Sequence, residues 1–455
     1  MSEWKKVKIG DICKIVKGTT GIASAEPGKY PLVVTAVERK TCSTFQFDCE
    51  AVCVPLVSSS GHGKKSLNNV HYQSGKFALG TILCAVIPNN SEELDARYLH
   101  QYLQFYKDTA LVPLMKGAAN VSLSMKDIAG VSIPLPPIKR QRELAEMFVT
   151  LQEKQKELFA ELEKQAEYAK QLRQNILQEA IEGKITADWR KQHPVQKGNP
   201  DYDAEALFQR ILEEKRTAED GNGKKRSSKK SAILSEAQSD ASEDLSESSA
   251  TSLFEIPQTW KWVKLKQLAT VGTGATPLTT DSRYYKNGNI PWITSSATSN
   301  EYVTESDSYI TEVALKETNC SINPIGTLVI AMYGQGKTRG QITELMIEAA
   351  TNQACATVLL NSNDKTSRKY VKIVFWKMYE EIRSLAQGGA QPNLNLSKIA
   401  NTIFPLPPLA EQKEIVTRVE KHLQTITQLE TQIATRETTT KQLMQSILKD
   451  AFEEE

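Results

Sequence analysis

The chain has 455 residues, with 40% hydrophobic and 24% charged side chains and a formal net charge of +2. This length favours two or more domains, and the composition is typical of a globular protein. No apolar run approaches the ~18 residues that a membrane span needs, and the amino terminus lacks the apolar core of a signal peptide, so we expect a cytoplasmic protein. Residues 1–137 carry 15 basic against 11 acidic side chains and residues 253–408 carry 15 against 12. These small excesses permit phosphate binding without requiring it.

The first half begins with short apolar runs separated by Gly, Ser, Asn and Pro, a pattern that predicts strands. The predicted elements are the strands Tyr30–Val37, Phe77–Ile87 and Val131–Ile133 and a helix at Ala96–Lys107. The Pro-rich segment 134–137 should end a strand and start the next helix. That helix, Lys139–Glu182, would be about 65 Å long.

Apolar residues along this helix recur with a strict 4-3 spacing that is typical of a coiled-coil seam. The seam is Leu144, Phe148, Leu151, Gln155, Leu158, Leu162, Gln165, Ala169, Leu172 and Ile176. We interpret its polar members as layers that set the register. Residues 138–195 therefore form the first spacer, and a solvated single helix is the less favoured alternative.

Residues 196–252 have a different composition. A short helix is predicted at Asp201–Arg216, followed in 217–252 by a basic cluster and a Ser/Glu/Asp-rich stretch without apolar periodicity. Such a sequence predicts a flexible linker.

The second half repeats the first. Its predicted elements are the strands Ile290–Ser295, Gly326–Met332 and Ala354–Leu360, a helix at Ser367–Leu385 and a second long helix in 409–455. Residues 117–183 align without a gap with 388–454, and 20 of these 67 positions are identical. The shifted seam is Ile415, Val419, His422, Ile426, Leu429, Ile433, Arg436, Thr440, Leu443 and Ile447. We predict an α+β fold with a pseudo-twofold repeat, in which two mixed α/β domains lie at opposite ends of an antiparallel two-helix coiled coil.

The segment Ala331–Thr338 resembles a phosphate-binding P-loop, but Ala331 stands where the first glycine of that motif is required. Nucleotide hydrolysis is therefore an alternative with little support. Cys42, Cys49 and Cys53 lack the spacing of a zinc site, so we expect buried, reduced thiols and no metal. No methyltransferase or dinucleotide motif was found, and we predict no catalytic residues.

Each globular segment carries loops rich in Gly, hydroxyl, amide and basic side chains, which suit phosphate and base-edge contacts. Ordinary surface turns are the alternative for any single loop. The candidate DNA-binding residues of the first segment are Lys17, Thr19, Thr20, Ser59, Ser60, His62, Lys64, Lys65, Lys116 and Asn120. Those of the second are Gly274, Thr276, Ser295, Ser296, Gln335, Lys337, Thr338, Arg339, Gln341, Asn352 and Gln391.

Taken together, the chain resembles the specificity subunits of Type I restriction-modification enzymes over nearly its whole length. The residues that carry this resemblance are Ile256–Leu265, the Pro-Leu-Pro-Pro exits followed by Gln141 and Gln412, Gly183–Arg190 and Gly326–Gln341. The resemblance implies target-recognition domains at 1–137 and 253–408, each reading half of a split double-stranded DNA target, with helices that set the unread spacer.

It further implies two methyltransferase (modification) subunits docked on the helices and separate motor-nuclease (restriction) subunits. S-adenosylmethionine would be bound by the methyltransferase subunit, and ATP and Mg²⁺ by the nuclease subunit. This chain would be a non-catalytic reader without a cofactor of its own. A coiled-coil scaffold for protein partners, without sequence-specific DNA binding, is the alternative.

Overall fold

A computed structural model describes residues 4–60, 63–221, 254–333, 338–362, 364–387 and 394–453. The chain divides into two compact units, each with its own hydrophobic core. The first unit contains Met1–Gln165 and Gln432–Glu455, and the second contains Ala166–Thr431. The amino-terminal part of each long helix and the carboxyl-terminal part of the other therefore belong to the same unit.

The first unit is built on two four-stranded sheets and one two-stranded sheet among its described residues. Its strands are β1 Lys6–Lys8, β2 Cys13–Lys17, β3 Tyr30–Val33, β4 Lys40–Cys42, β5 Phe47–Asp48, β6 Ala51–Pro55, β7 His71–Gln73, β8 Lys76–Leu79, β9 Leu83–Pro88 and β10 Ser132–Pro134. The sheet orders are β2-β9-β6-β7, β4-β3-β8-β5 and β1-β10. All pairs are antiparallel except β3 with β8, which run parallel.

The second unit has ten strands among its described residues. They are β11 Lys261–Lys264, β12 Ala269–Thr273, β13 Ile290–Ile293, β14 Tyr302–Val303, β15 Tyr309–Ile310, β16 Leu328–Ala331, β17 Ile342–Leu345, β18 Ala350–Thr351, β19 Cys355–Leu360 and β20 Ile403–Leu406. The sheet orders are β12-β19-β16-β17-β14, β15-β13-β18 and β11-β20.

The internal repeat of the sequence is confirmed as a repeat of topology. The order β2-β9-β6-β7 of the first unit matches β12-β19-β16-β17 of the second, and the parallel pair β3 and β8 matches β13 and β18. The second unit adds β14 at the edge, parallel to β17. The α+β class is therefore correct, and the same fold occurs twice although the loop sequences differ.

The helices of the described residues agree closely with the predicted ones. They are α1 Ile9–Ile12, α2 Ala96–Tyr106, α3 Met125–Ala129, α4 Ile138–Ile181, α5 Ala187–Gln192, α6 Ala204–Gly221, α7 Leu265–Leu268, α8 Glu312–Glu317, α9 Lys365–Gln387, α10 Leu396–Ala400 and α11 Leu409–Glu453. A π-helical turn, Lys107–Leu111, follows α2, and short 3-10 helices occur at Val112–Leu114, Lys184–Thr186, Ser282–Tyr284 and Ser295–Ser299.

The Pro-rich exits stop β10 and β20, as predicted, and hold each sheet to the helix behind it. The buried hydroxyl of Tyr98 on α2 donates to Pro134 O at 2.9 Å, and that of Tyr370 on α9 donates to Pro405 O at 2.7 Å. Each of these proline carbonyls thus accepts a hydrogen bond from a side chain of the helix behind the sheet. The start of each long helix is thereby fixed to its own unit.

A second joint involves one glutamine in each repeat. Gln141 Nε2 donates to Pro136 O at 2.8 Å, and Gln412 Nε2 donates to Pro407 O at 2.9 Å. Both side chains are essentially inaccessible to solvent. A buried amide needs partners for its polar atoms, which accounts for the same residue at both positions.

Within each unit the two long helices run antiparallel. In the first unit Phe148 of α4 stacks on Phe452 of α11 at a centroid distance of 4.6 Å, and Lys441 lies 5.5 Å from the Phe159 ring. In the second unit Arg173 of α4 pairs with Glu430 of α11 at 3.1 Å, and Ile185, just after α4, accepts a hydrogen bond at its carbonyl from Arg418, earlier on α11, at 2.7 Å. The antiparallel prediction is confirmed for each of these pairings.

The predicted seam is wrong at several positions. Leu144, Phe148, Leu162, Ala169, Ile176, Ile415, Val419 and Ile426 are buried, but Leu158, Leu172, Leu429 and Leu443 are 42–58% exposed. In α11 the neighbouring Met444, Ala451 and Phe452 are buried. Most of the buried seam residues lie near the ends of the helices, which pack against the domain cores, whereas Leu158 and Leu429 lie in the middle of their helices.

The strand predictions differ clearly from the structure in two places. Phe77–Ile87 is interrupted, since β8 ends at Leu79 and β9 begins at Leu83. Gly80 lies in the turn between them, and the apolar periodicity ran through that turn. Tyr30–Val37 is shorter than predicted and ends at Val33.

Candidate nucleic-acid interface

The first unit gathers its candidate loops at one edge of a sheet. β2 and β6 are both antiparallel to β9, so their carboxyl ends lie at the same edge, where β9 begins. The loop 17–20 follows β2, and the Ser- and Lys-rich segment follows β6. We call this the loop edge of the first unit.

Close backbone packing positions the loop 17–20. Gly18 N–H donates to Leu83 O at 2.9 Å, at the start of β9. A Cβ atom on Gly18 would lie 2.2 Å from Gly80 O, so a larger residue would displace the loop. Glycine is required here by the approach of two backbones, and the polar side chains beside it are thereby held at the edge.

Two further candidate segments join this edge through hydrogen bonds. Ser58 Oγ donates to Lys64 O at 2.5 Å, and Ser58 N–H donates to Val121 O at 3.0 Å. Val57 also forms a β-bridge with Ser122. The segment after β6 is therefore attached to residues 116–122, which lie far away in sequence.

The second unit has the same loop edge. β12 and β16 are both antiparallel to β19, so the loop after β12, the turn after β16 and the turn before β19 meet. A Cβ on Gly274 would lie 1.9 Å from Thr351 O, which is the same close approach as at Gly18. Asn352 N–H donates to Ile293 O at 2.9 Å, which brings the end of β13 and the 3-10 helix Ser295–Ser299 to this edge.

All candidate residues that the structure describes lie on the segments that form these two edges. Exposed members are Lys17, Thr19, Ser59, Lys64, Lys65, Lys116, Asn120, Thr276 and Ser296. Half-buried members are Thr20, Ser60, Gly274, Ser295, Thr338, Arg339, Gln341 and Asn352. His62, Gln335, Lys337 and Gln391 lie outside the described residues. Whether any of them contacts DNA stays a prediction.

Some of these side chains already have partners within the chain. Asn352 Oδ1 accepts Ala354 N–H at 3.1 Å and so stabilises its own turn, and Ser296 Oγ is 2.8 Å from Thr294 Oγ1. Arg339 Nε is buried and has no hydrogen-bond partner among the described residues. A buried donor without an acceptor lowers the stability of the folded state. This cost applies to Arg339 and not to Asn352 or Ser296, whose polar atoms have partners.

Electrostatics differ among the lysines of the first unit. Lys116 Nζ lies 3.3 Å from Asp127 Oδ1. The hydrogen bond from Ser124 and this ammonium lower the pKa of Asp127. Lys64 and Lys65 have no carboxylate within 4.0 Å among the described residues, so their charge is not neutralised by an ion pair there.

Gln46, which was not among the predicted site residues, holds the loop 17–20 in place through two hydrogen bonds. Its Oε1 accepts Thr19 N–H at 3.0 Å, and its Nε2 donates to Lys17 O at 2.9 Å. In the second unit Thr273 performs the corresponding task, with Oγ1 donating to Cys355 O at 3.0 Å. Gln46 precedes the two-residue β5 without a motif, so no signal in the sequence identified it.

The P-loop alternative is contradicted by the topology. Ala331 ends β16, and the next described element is the strand β17, which pairs with β16 antiparallel. A P-loop joins a strand to a helix whose amino terminus binds phosphate. This segment is a strand-to-strand connection, and Gly334–Lys337 lie outside the described residues.

The cysteines behave as apolar core residues. All seven are free thiols, and all except the half-buried Cys49 are buried. Burial raises the pKa of Cys13 and of Cys84 to about 12, which keeps both thiols protonated. Among the described residues no group of three His, Cys, Asp or Glu is arranged to hold a metal ion, and no helix is both long and apolar enough for a membrane span.

Comparison with known proteins places this geometry in a family. The family model described as Type I restriction modification DNA specificity domain matches residues 1–168 and 257–436, once in each repeat. The Type I restriction enzyme EcoDI specificity subunit of Escherichia coli is 23% identical over 99% of this chain and 88% of its own length. The MjaIX specificity subunit of Methanocaldococcus jannaschii is 28% identical over 37% of this chain, which spans only 38% of that relative.

Two solved structures share the fold over the whole chain. The HsdS subunit from Thermoanaerobacter tengcongensis has a TM-score of 0.55 at 15% identity, covering 100% of this chain and 97% of its own. A chain from a study of complex assembly and conformational transition of the type I R-M system has a TM-score of 0.60 at 16% identity, covering 100% and 98%. Since the family model matches both repeats and most of the sequence, the chain belongs to the family of Type I restriction-modification DNA specificity subunits.

Proposed function

We propose that this chain is the non-catalytic reader of a Type I restriction-modification enzyme and that each unit recognises one half of a bipartite DNA target. The observation that carries the proposal is the loop edge, which occurs once in each repeat at topologically equivalent strand ends. The supporting scaffold is shared, whereas the side chains on the loops differ. Such an arrangement suits two readers of different sequences.

The chemistry of the two edges suits duplex DNA. Exposed Lys17, Lys64 and Lys65 in the first unit can contact phosphates, and hydroxyl and amide groups beside them can contact phosphates or base edges. In the second unit Arg339 and Gln341 have the side-chain types that read guanine and adenine in the major groove. We expect Arg339 to lie against a base after its turn adjusts on binding.

In this proposal residues 1–137 and 253–408 are the two recognition domains. Residues 138–195 and 409–455 are helical spacers, and 196–252 contains a short helix and a linker. Our expectation is that the spacers dock two methyltransferase subunits, which bind S-adenosylmethionine, and that motor-nuclease subunits using ATP and Mg²⁺ complete a cytoplasmic complex. The exposed Leu158, Leu172, Leu429 and Leu443 support docking, because uncovered apolar side chains on a helix are typical of protein interfaces.

Methylome sequencing of a host that expresses this chain with its methyltransferase subunit tests the proposal. We expect methylation at a single split sequence with two specified halves. Arg339→Ala should reduce discrimination in one half by roughly 10- to 100-fold, since a good base contact contributes about 1–3 kcal/mol, and leave the other half unchanged. Lys316→Ala, at a surface position of α8 in the second unit whose side chain is 77% exposed, is the matched control.

Three outcomes would contradict the proposal. Methylation without sequence preference would favour a protein scaffold. Equal loss at both halves in Arg339→Ala would exclude a base-reading role for that residue. Methylation specified by one continuous sequence would exclude two separate readers.

A further inference from the structure

A second surface of the first unit continues from its loop edge. It consists of Lys29, Tyr30, Phe45 and Lys76, and we call it the Lys–aromatic patch. Phe45 directly precedes Gln46, whose side chain is bonded to Lys17 and Thr19 on the loop edge. The patch and the loop edge are therefore joined by one residue.

The two lysines of the patch are held on aromatic rings. Lys29 Nζ lies 5.1 Å from the Tyr30 ring centroid, and Lys76 Nζ lies 5.0 Å from that of Phe45. The two rings are in turn 5.0 Å apart. Cations at such distances are attracted to the ring faces, which limits the conformations of these otherwise flexible side chains. Both ammonium groups are thereby kept near one surface.

This surface is open to solvent. Lys29 is exposed, the side chain of Lys76 is 50% exposed, and Phe45 is 42% exposed, which is unusual for a phenylalanine. Asp48 Oδ2 lies 3.9 Å from Lys76 Nζ, but its side chain is 58% exposed. An exposed ion pair of this length is weak and is replaced at little cost by a phosphate.

In the second unit the segment before β13 also places a cation over an aromatic ring, but carboxylates neutralise that cation. Arg283 lies over the Tyr284 ring at 5.6 Å, but it is bound to Asp281 at 2.7 Å and lies 3.4 Å from Glu317. Two carboxylates neutralise the cation there. Lys286 of the same segment is also exposed, so the units differ in whether the ring-bound cation is neutralised and not in the number of exposed lysines.

We infer that the Lys–aromatic patch binds the phosphodiester backbone of DNA beside the first half-site, without reading bases. The inference rests on the proposed function, since the patch continues the loop edge that would hold the half-site. Lys29 and Lys76 would each contact a phosphate, and Phe45 would pack against the sugars between them. Contacts of this kind add affinity and orientation but carry no sequence information.

The dependence of DNA affinity on salt tests this inference, using the full chain in complex with its methyltransferase subunits. Each phosphate contact contributes about 0.9 to the slope of log K against log salt concentration. The double variant Lys29→Gln/Lys76→Gln should lower that slope by about 1.8 for both cognate and noncognate duplexes. The ratio of the two affinities should not change. Lys14→Gln is the matched control, because Lys14 is an exposed lysine of β2 placed three residues before Lys17.

An unchanged slope in the double variant, equal to that of Lys14→Gln, would overturn the inference. A loss confined to the cognate duplex would also overturn it, since it would mean that the lysines read bases. If the unmodified complex does not distinguish the two duplexes, the proposed function fails, and the slope still reports separately on the patch. All three lysines are exposed, and an unchanged thermal midpoint verifies that each variant folds.

Discussion

The two units share one topology but hold it together differently. At the start of the long helices, the aligned positions are Arg140 in the first unit and Glu411 in the second. Arg140 is 38% exposed and lies 3.5 Å from Glu143 on its own helix. Glu411 is 1% exposed and accepts hydrogen bonds from Thr186, Arg190 and Trp260. The same helix start is thus a surface position in one unit and a buried polar joint in the other.

A second difference lies on the helix that packs behind each sheet. α2 carries His100, which bonds to Val70 O at 3.0 Å, whereas α9 carries Lys372 at the corresponding place, two residues after its buried tyrosine. Lys372 is 1% exposed and lies 3.8 Å from Glu344 and 3.9 Å from the Tyr302 ring. A duplicated scaffold thus accepts different buried polar residues at corresponding positions, provided that each buried polar group has a hydrogen-bond or ion-pair partner.

The largest expected effect tests the buried joint. Glu411→Ala would remove the acceptor of the buried Trp260 indole and the carboxylate partner of Arg190, and would leave Thr186 with its longer bond to Gly183 O at 3.4 Å. We expect the second unit to lose about 3–5 kcal/mol of stability. Lys413→Ala, at an exposed position two residues later on the same helix, is the matched control and should cost no more than about 0.5 kcal/mol. Hydrogen exchange resolved by peptide measures each unit separately, which matters because a chain of two units need not unfold in one step.

The result would contradict the comparison if Glu411→Ala cost less than about 1 kcal/mol or accelerated exchange equally in both units. Glu411→Gln is a less disruptive variant at the same position. It keeps one acceptor oxygen, either for Thr186 and Arg190 or for Trp260, and it removes the charge, so its cost should be intermediate.

The second largest expected difference between the units is the loss of stability at low pH. Burial and the nearby Arg39 guanidinium lower the pKa of His71 to about 4, and burial also lowers the pKa of His100. The folded state therefore keeps these rings neutral, whereas the unfolded state takes up protons near pH 6.5. Stability of the first unit is complete above that pH and falls as the pH drops toward 4, by about 3 kcal/mol for His71 alone.

Exchange or thermal unfolding measured between pH 8 and pH 4 checks this expectation. His71→Gln should flatten the loss in the first unit, and the second unit of the same chain serves as the internal control. At the position of His100 the second unit has Lys372, so we expect no matching acid-sensitive loss from that site. Equal acid sensitivity of the two units would show that other groups dominate.

The sequence was most informative where local patterns decide structure. The long helices, the Pro-rich exits and most apolar strands could be predicted because apolar periodicity and proline chemistry act over a few residues. The break between β8 and β9 was missed, since the apolar run continues through Gly80 and Ile82. The predicted seam is wrong at Leu443, which is exposed, while its neighbour Met444 is buried. Which of the two is buried depends on the domain surface that the helix contacts.

The candidate site was only half predictable. Loop composition pointed to the polar segments, but their meeting at one edge depends on strand order, which no local pattern contains. For the same reason Gln46 could not be found: its role depends on β5 lying beside β8, close to a loop nearly thirty residues earlier. In the second unit the corresponding support is a hydroxyl, on Thr273.

The smallest expected effect separates these two supports. Gln46→Ala removes two hydrogen bonds from the loop 17–20, each contributing about 0.5–1.5 kcal/mol, and we expect discrimination at the first half-site to fall about 3- to 10-fold. Thr273→Val removes one bond without changing the shape, so discrimination at the second half-site should fall less, about 2- to 3-fold. Competition binding with targets altered in one half at a time measures both. Each variant changes one unit only, so each serves as the control for the other. A change in discrimination at the opposite half-site would mean that the two loop edges do not read DNA independently.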